Sequence, residues 1–329
     1  MITLSEVAAR AGTSVATASR VLNRKEGVRI TQETADRVNL AAQELGYVPN
    51  PVARAMAAGR TRTLGIWMVP HPETTVTSTR FLAAITREMA GKLGGQVILD
   101  TSPLVPELQL NPVPADWYLS LSCTNFALNY VADHPEFRSR VLIVDDTVVP
   151  NVNCLSFDVA RAVRRSVEHL IAGGCRDLRY VITEEDFHRA ETPRMIAYRD
   201  ALVALGQQPK YIFTRDDSDL AAYQAVRHAL QNGEKFDGIL CRRDDMAIGA
   251  LVAINEAGLR IPGDIAVMGW LAEKVTPSMP LSTVAFPAEA LAERAVLALD
   301  AMATQPHSIR HHGAIPYEHM QGESTRKIG

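Results

Sequence analysis

The chain has 329 residues, 47 % hydrophobic and 22 % charged, which excludes a disordered chain and leaves room for two or three domains with real cores. The formal charge of −3 is unevenly spread: residues 1–62 hold nine Lys/Arg against five Asp/Glu, net +4, and the other 267 hold 25 against 32, net −7. That pattern excludes a uniformly basic nucleic-acid coat and suggests a small head with an anionic partner on a body without one. No run of 18 uninterrupted apolar residues occurs, so no membrane span is expected. The start, Met1-Ile2-Thr3-Leu4-Ser5-Glu6, lacks the basic and apolar regions of a signal peptide. Cys123, Cys154, Cys175 and Cys241 lie far apart with no CxxC, which argues against a disulfide framework or a zinc site and fits a reducing cytoplasm.

The first element is a helix: Leu4, Val7, Ala8 and Ala11 recur on one helical face. Thr3 precedes it with Glu6 three residues on, the pattern of a capping box. Gly12-Thr13 breaks that helix. Ser14 caps a second, Val15 to Leu22, where Val15, Ala18, Val21 and Leu22 are spaced for burial. Two short helices joined by a tight glycine turn are the signature of a helix-turn-helix. Thr31 caps a third helix, over Val38, Ala41, Ala42 and Leu45, that stops at Gly46. The pattern alone also admits a generic three-helix bundle. The polar face of the second helix favours DNA: Ser14, Thr17, Ser19, Arg20 and Asn23 are groups that grip phosphates and base edges.

Pro49-Asn50-Pro51 separates this head from the rest of the chain. Asn50 can cap a short helix over residues 51–58, ended by Gly59, too short to be stable alone in water. A flexible linker is the alternative. From residue 63 apolar runs alternate between strand and helix. Strands are predicted at 64–69, 96–100, 117–121, 141–144, 178–182, 211–213, 238–240 and 265–268. Helices are predicted at 81–93, 160–171, 194–205, 220–230, 246–257 and 288–303. This rhythm means parallel sheets covered by helices, and the number of elements suits two such units. Ligands in such folds sit at the carboxyl ends of the strands, and a cleft between two lobes is the natural pocket. The segment Ser102 to Ala115 holds four prolines in fourteen residues, so no regular helix is expected there.

No GxGxxG, GxxxxGK[ST], HExxH or GxSxG occurs, so no enzyme, cofactor or metal is expected. His311-His312 is expected in a surface loop. Asp145-Asp146, Asp216-Asp217 and Asp244-Asp245 are expected as hydrogen-bonding pairs rather than metal ligands.

The run Thr3-Leu4-x-x-Val7-Ala8-x-x-Ala11-Gly12-x-Ser14-x-Ala16-Thr17-x-Ser19-Arg20-Val21-Leu22-Asn23, with Gly46-Tyr47-Val48-Pro49-Asn50-Pro51-x-Ala53-Arg54, resembles the lactose/galactose repressor family of bacterial transcription factors. In the body the resemblance continues through Val167-Glu168-His169-Leu170-Ile171, Arg194-x-x-Ala197-Tyr198-Arg199-Asp200, Asp244-x-Met246-Ala247-Ile248-Gly249, Ile261-Pro262-x-Asp264-Ile265 and Pro280-Leu281-Ser282-Thr283. It implies a three-helix DNA-binding head (1–48), a hinge helix (49–62) and a two-lobed periplasmic-binding-protein-like body (63–329). The lobes would be about 63–158 with 286–315, and about 159–285 with 316–329.

In the head, the resemblance implies that Val15, Ala16 and Arg20 face base edges, while Thr3, Ser5, Ser14, Thr17, Ser19 and Asn23 hold phosphates. The hinge residues Asn50, Ala53, Arg54 and Met56 would enter the minor groove, with Met56 wedged between base steps. Arg60 and Arg62 would add phosphate contacts.

In the body it places Trp67 with Met68, Asp145, Arg194, Arg243, Trp270 and Phe286 at an effector pocket. Trp270 would either stack on a sugar or pack in the core. Leu271 replaces a common acid and Arg243 an Asn or Ser. The trimmed first lobe, with Phe157-Asp158-Val159-Ala160-Arg161, is similar to the repressor type of the evolved β-galactosidase operon. That suggests a galactoside, while Arg194 and Arg243 together suggest an acidic sugar.

The implied function is a cytoplasmic, effector-controlled repressor of a palindromic operator. It would be a homodimer, since no leucine heptads follow Thr325. Two alternatives stay open: a sugar- or sugar-acid-binding protein with a vestigial head, and a repressor without effector.

Overall fold

The computed structural model describes residues 2–22, 30–47, 62–69, 75–104, 113–188, 192–272, 281–306 and 308–326. The chain divides into two compact units, 1–62 and 63–329.

The first unit holds α1 (Leu4–Arg10), α2 (Val15–Leu22) and α3 (Gln32–Glu44). Val7, Ala8 and Ala11 of the first helix region, Ala18 of α2 and Val38, Ala41 and Ala42 of α3 form one small buried cluster. So many alanines let the three helices approach closely. The turn after α1 needs Gly12, which sits at φ +62°, a conformation that costs side-chain-bearing residues energy. Val15, which its spacing assigns to this core, is instead 45 % exposed. It is the first residue of α2, and Ala18 three residues on takes the central place.

The second unit contains two six-stranded sheets. The first has the order β11-β5-β4-β3-β1-β2, from β1 (Thr63–Met68), β2 (Gln96–Asp100), β3 (Trp117–Leu121), β4 (Val141–Asp145), β5 (Asn153–Phe157) and β11 (His311–Ile315). All its pairings are parallel. The second has the order β12-β10-β9-β8-β6-β7, from β6 (Leu178–Thr183), β7 (Tyr211–Thr214), β8 (Gly238–Cys241), β9 (Ala266–Leu271), β10 (Ser282–Ala285) and β12 (Glu318–Met320). It is parallel except where β12 meets β10. This is the two-lobed α/β body that the alternating pattern predicts. The chain passes between the sheets after β5, after β10 and between β11 and β12.

Helices cover the sheets: α4 (Thr75–Glu88) and α5 (Thr124–Asp133) in the first lobe, and α6 (Val159–Ala172) next in chain order. The second lobe adds α7 (Glu184–His188), α8 (Pro193–Ala204), α9 (Asp219–Gln231) and α10 (Asp244–Glu256). The last helix, α11 (Ala288–Thr304), packs on α4. Side-chain caps set several starts: Asp158 accepts from the Arg161 amide, Thr192 from Met195 and Ser218 from Ala221. Helix α9 lies so close to α10 that a Cβ on Gly249 would stand 2.0 Å from the Asp219 carbonyl oxygen.

Several elements differ from the pattern-based expectation. Helix α4 begins six residues before Phe81 and ends in a π-helical turn, Met89–Leu93. Helix α5 and strands β5, β10, β11 and β12 were not expected. Cys123, before α5, makes no side-chain cap, and β12 has three residues, so neither carries a strong local signal. His311 and His312 lie on strand β11 rather than in a loop. Their Nε2 atoms bond the Ser156 hydroxyl and the Asn153 side-chain oxygen, each at 3.0 Å. Of the proline-rich segment, Ser102–Leu104 forms one 3-10 turn and residues 105–112 lie outside the described residues. Among the described residues no helix is long and apolar enough to cross a membrane.

Candidate DNA interface and effector cleft

Helix α1 starts on a full capping box. The Thr3 amide donates to Glu6 Oε2 at 2.6 Å, and the Glu6 amide donates back to Thr3 Oγ1 at 3.3 Å. The bonds from Thr3 hold the Glu6 carboxyl below its ordinary value. Ser14 caps α2 by accepting from the Thr17 amide at 3.1 Å, and the two hydroxyls bond each other at 2.9 Å. Burial of Ala18 turns the other side of α2 outward: Ser14, Val15, Ala16 and Arg20 are exposed, and Thr17 and Ser19 half-buried. Thr3 and Ser5 are exposed beside the start of α1. Arg20 is exposed, and among the described residues it makes no ion pair. Asn23, Asn50, Ala53, Arg54 and Met56 lie outside the described residues.

In the second unit a cavity of about 300 Å³ opens at the carboxyl ends of the strands, between the two sheets. The first lobe lines it with Met68 at the end of β1, Leu121 at the end of β3, Val144 and Asp145 on β4, Phe157 on β5 and Phe81 on α4. Thr77, Ser78 and Ser122 add hydroxyls. The second lobe brings Arg194 from α8, Arg243 from the turn before α10 and Leu271 from β9, and the crossings bring Phe286 and Tyr317.

Arg194 is the polar centre of this cleft. Its Nη2 lies 3.8 Å from Asp146 Oδ2 in the other lobe, its Nη1 donates to the Arg242 carbonyl at 3.2 Å, and its guanidinium stands 5.0 Å from the Trp270 ring centre. Burial, then the Asp146 carboxylate, pushes the Tyr317 phenol well above its ordinary value. Tyr317 therefore stays protonated, and it lines the same cavity as Asp146 and Arg194. Asp145 accepts from Thr124 Oγ1 and from the Thr147 amide. Among the described lining residues, Asp145 and Asp146 balance Arg194 and Arg243, so their formal charges cancel.

Asp145, Arg194, Arg243 and Phe286 thus come together, and Met68 with them. Trp67 and Trp270 do not. Trp67 is fully buried: it stacks on Tyr118 at 4.7 Å and donates to Asp100 at 3.1 Å. Successive strand residues point to opposite faces, so Met68 reaches the cleft and Trp67 the core behind. Trp270 is 2 % exposed, with Arg194 on one side and Tyr317 5.2 Å away, and its neighbour Leu271 lines the cavity instead. Sequence reasoning missed Asp146 as the partner of Arg194, and Tyr317, Phe81 and Phe157 as walls. The position of Asp146 just past a predicted strand end was the available signal. Among the described residues no cluster of His, Cys, Asp or Glu could hold a metal ion.

Residues 3–50 match the family described as "Bacterial regulatory proteins, lacI family", and residues 167–325 match "Periplasmic binding protein-like domain". The HTH-type transcriptional regulator AscG of Escherichia coli (strain K12) is 30 % identical over 307 residues, spanning 87 % of this chain and 88 % of that protein. The lactose operon repressor of the same organism is 26 % identical over 82 % of this chain and 75 % of its own. Among solved structures, the lac repressor bound to ONPG in the repressed state superposes with TM-score 0.76 at 23 % identity, covering 98 % of this chain and 99 % of that one. The chain belongs to the lacI family of bacterial regulatory proteins. It is a DNA-binding transcriptional regulator with a helix-turn-helix head and an effector-binding, periplasmic-binding-protein-like body.

Proposed function

We propose that this regulator is a homodimeric repressor of a palindromic operator, and that a neutral sugar in the inter-lobe cleft loosens its grip. The single observation that carries the reading is the Arg194–Asp146 contact across the cleft. This polar pair joins the two lobes inside a cavity of ligand size, so a ligand that engages it couples to lobe geometry. Asp145 and Asp146 suit hydroxyl donors and disfavour a sugar acid. Structures of similar fold are described as complexes with cellobiose and with lactose, in keeping with a sugar here.

In the head, Arg20 hydrogen-bonds base edges, Val15 and Ala16 contact thymine methyls, and Thr3, Ser5, Ser14, Thr17, Ser19 and Asn23 hold phosphates. Asn50, Ala53, Arg54 and Met56 form the hinge contacts in the minor groove. The head, hinge and body are residues 1–48, 49–62 and 63–329. The protein works in the cytoplasm and has no enzymatic activity of its own.

The test is a gel-shift on a duplex selected by this protein from a random pool. Arg20→Ala should weaken binding roughly 5–150-fold, the scale of one lost bidentate base contact of about 1–3 kcal/mol. Unchanged affinity in that variant would sink the assignment of α2 as the reading helix.

A further inference from the structure

A cavity of about 490 Å³ lies outside the cleft, against the first turns of α6. Two of the three chain crossings line it: Asp158, between β5 and α6, and Pro316-Tyr317, between β11 and β12. Arg161 and Arg165 line it from successive turns of α6. Both are exposed, and among the described residues neither makes an ion pair. Glu318 and His319 of β12 add to the lining.

A second observation concerns His319. Its Nε2 lies 3.0 Å from the Ala162 carbonyl oxygen and 3.1 Å from the Ser166 hydroxyl, so Nε2 holds the proton. Burial, then the Arg165 charge, keeps the ring below its ordinary pKa, so it is neutral at pH 7 and Nδ1 is an acceptor. That atom is buried and has no hydrogen-bond partner among the described residues. A buried acceptor without a donor is costly, and a ligand hydroxyl relieves that cost.

The lining therefore sorts into two kinds. Arg161 and Arg165 are cationic donors, while Asp158, Glu318 and His319 Nδ1 are acceptors. A carboxylate is filled by the fork of one guanidinium, whereas a phosphate has oxygens enough for two. Hydroxyls on the same ligand supply the acceptors. Tyr317 lines this cavity and the cleft alike.

We infer that this cavity is a second ligand site, taking a hydroxylated phosphate ester, and that it is coupled to the cleft through Tyr317 and the two crossings. The phosphate meets Arg161 and Arg165, and the hydroxyls meet His319 Nδ1 and the two carboxylates. Lobe movement bends the crossings, so a ligand held against them favours one lobe geometry, and the coupling runs both ways.

The experiment is calorimetry on the full chain with glucose 6-phosphate, ribose 5-phosphate, glycerol 3-phosphate and inorganic phosphate. At least one ester should bind tenfold or more tightly than inorganic phosphate. Arg161→Ala with Arg165→Ala should weaken that ester tenfold or more and melt like the parent chain, both side chains being exposed. Arg194→Ala, in the cleft, should keep ester affinity within threefold. Binding of no ester would overturn the site. An ester lost in Arg194→Ala but kept in the double variant would place it in the cleft and also overturn the site. Inorganic phosphate as tight as every ester would overturn the part given to the hydroxyls. The ester titration is then repeated in saturating methyl glycosides of glucose, galactose and mannose, both anomers, and ester affinity should change threefold or more with one of them. Ester affinity unchanged by every glycoside would overturn the coupling and leave the site standing. Ester binding itself needs no glycoside, so failure of the sugar reading of the cleft is seen separately.

Discussion

Arg194→Ala removes three contacts in one substitution. The first is the ion pair with Asp146 at 3.8 Å, where the Arg side chain is 20 % and the Asp 31 % exposed. Breaking a fully buried pair costs about 3–5 kcal/mol and an exposed one about 0–1, so this half-shielded, rather long pair is worth about 1–2. The second is the bond to the Arg242 carbonyl, about 1 kcal/mol. The third is the stack on Trp270, about 0.5–1 kcal/mol. The sum is about 3 kcal/mol, which for a body of this size lowers the melting temperature by roughly 5–10 °C. Sugar affinity falls further, because one charge-assisted hydrogen bond to a ligand, about 1.5–3 kcal/mol, is roughly 10–100-fold in Kd. Arg194→Lys keeps the charge and loses the planar fork, so it should fall between. Calorimetry with the same glycosides and a thermal melt measure both effects. An Arg194→Ala protein that binds glycoside within twofold of the parent chain would refute the place given to Arg194.

Ser14→Ala removes the cap of α2, costing the head about 1 kcal/mol, so operator affinity should drop several-fold in a gel-shift while glycoside binding is untouched. Gly249→Ala drives a methyl group into the Asp219 carbonyl on α9, and a thermal melt should show about 1–3 kcal/mol of destabilisation or more. Asp264 is held down to about 2, first by the Arg260 side chain and then by its amide. Its folded value lies below its ordinary one, so the stability it contributes is present above about pH 4 and is lost as pH falls toward 2. Asp264→Asn should flatten that acid limb in urea melts, and an unchanged limb would refute the contribution.

Elements with strong local chemistry were legible in the sequence. The Thr3–Glu6 box, the Ser14 and Thr31 caps and Gly12 mark the head residue by residue. The alternation of strand and helix pointed to the two sheets, parallel but for β12. Orientation within a strand was not legible. A strand buried on both faces, such as β1, carries apolar residues throughout, so nothing in Ile66-Trp67-Met68 says which neighbour faces the cleft. The same ambiguity hid the exchange of Trp270 for Leu271. Asp146 meets Arg194, and Tyr317 lines the same cavity, from positions far apart in the chain, and no local spacing joins them. Helix α5 was missed because no capping side chain announces it.

The central claim is that occupancy of the cleft controls the head. The most direct measurement is fluorescence anisotropy of a labelled, selected operator duplex titrated with the full chain, without and with each saturating glycoside. The proposed function predicts that at least one glycoside weakens operator affinity tenfold or more, and that Arg194→Ala abolishes this response. Operator affinity that is identical with and without every glycoside shown to bind would contradict it.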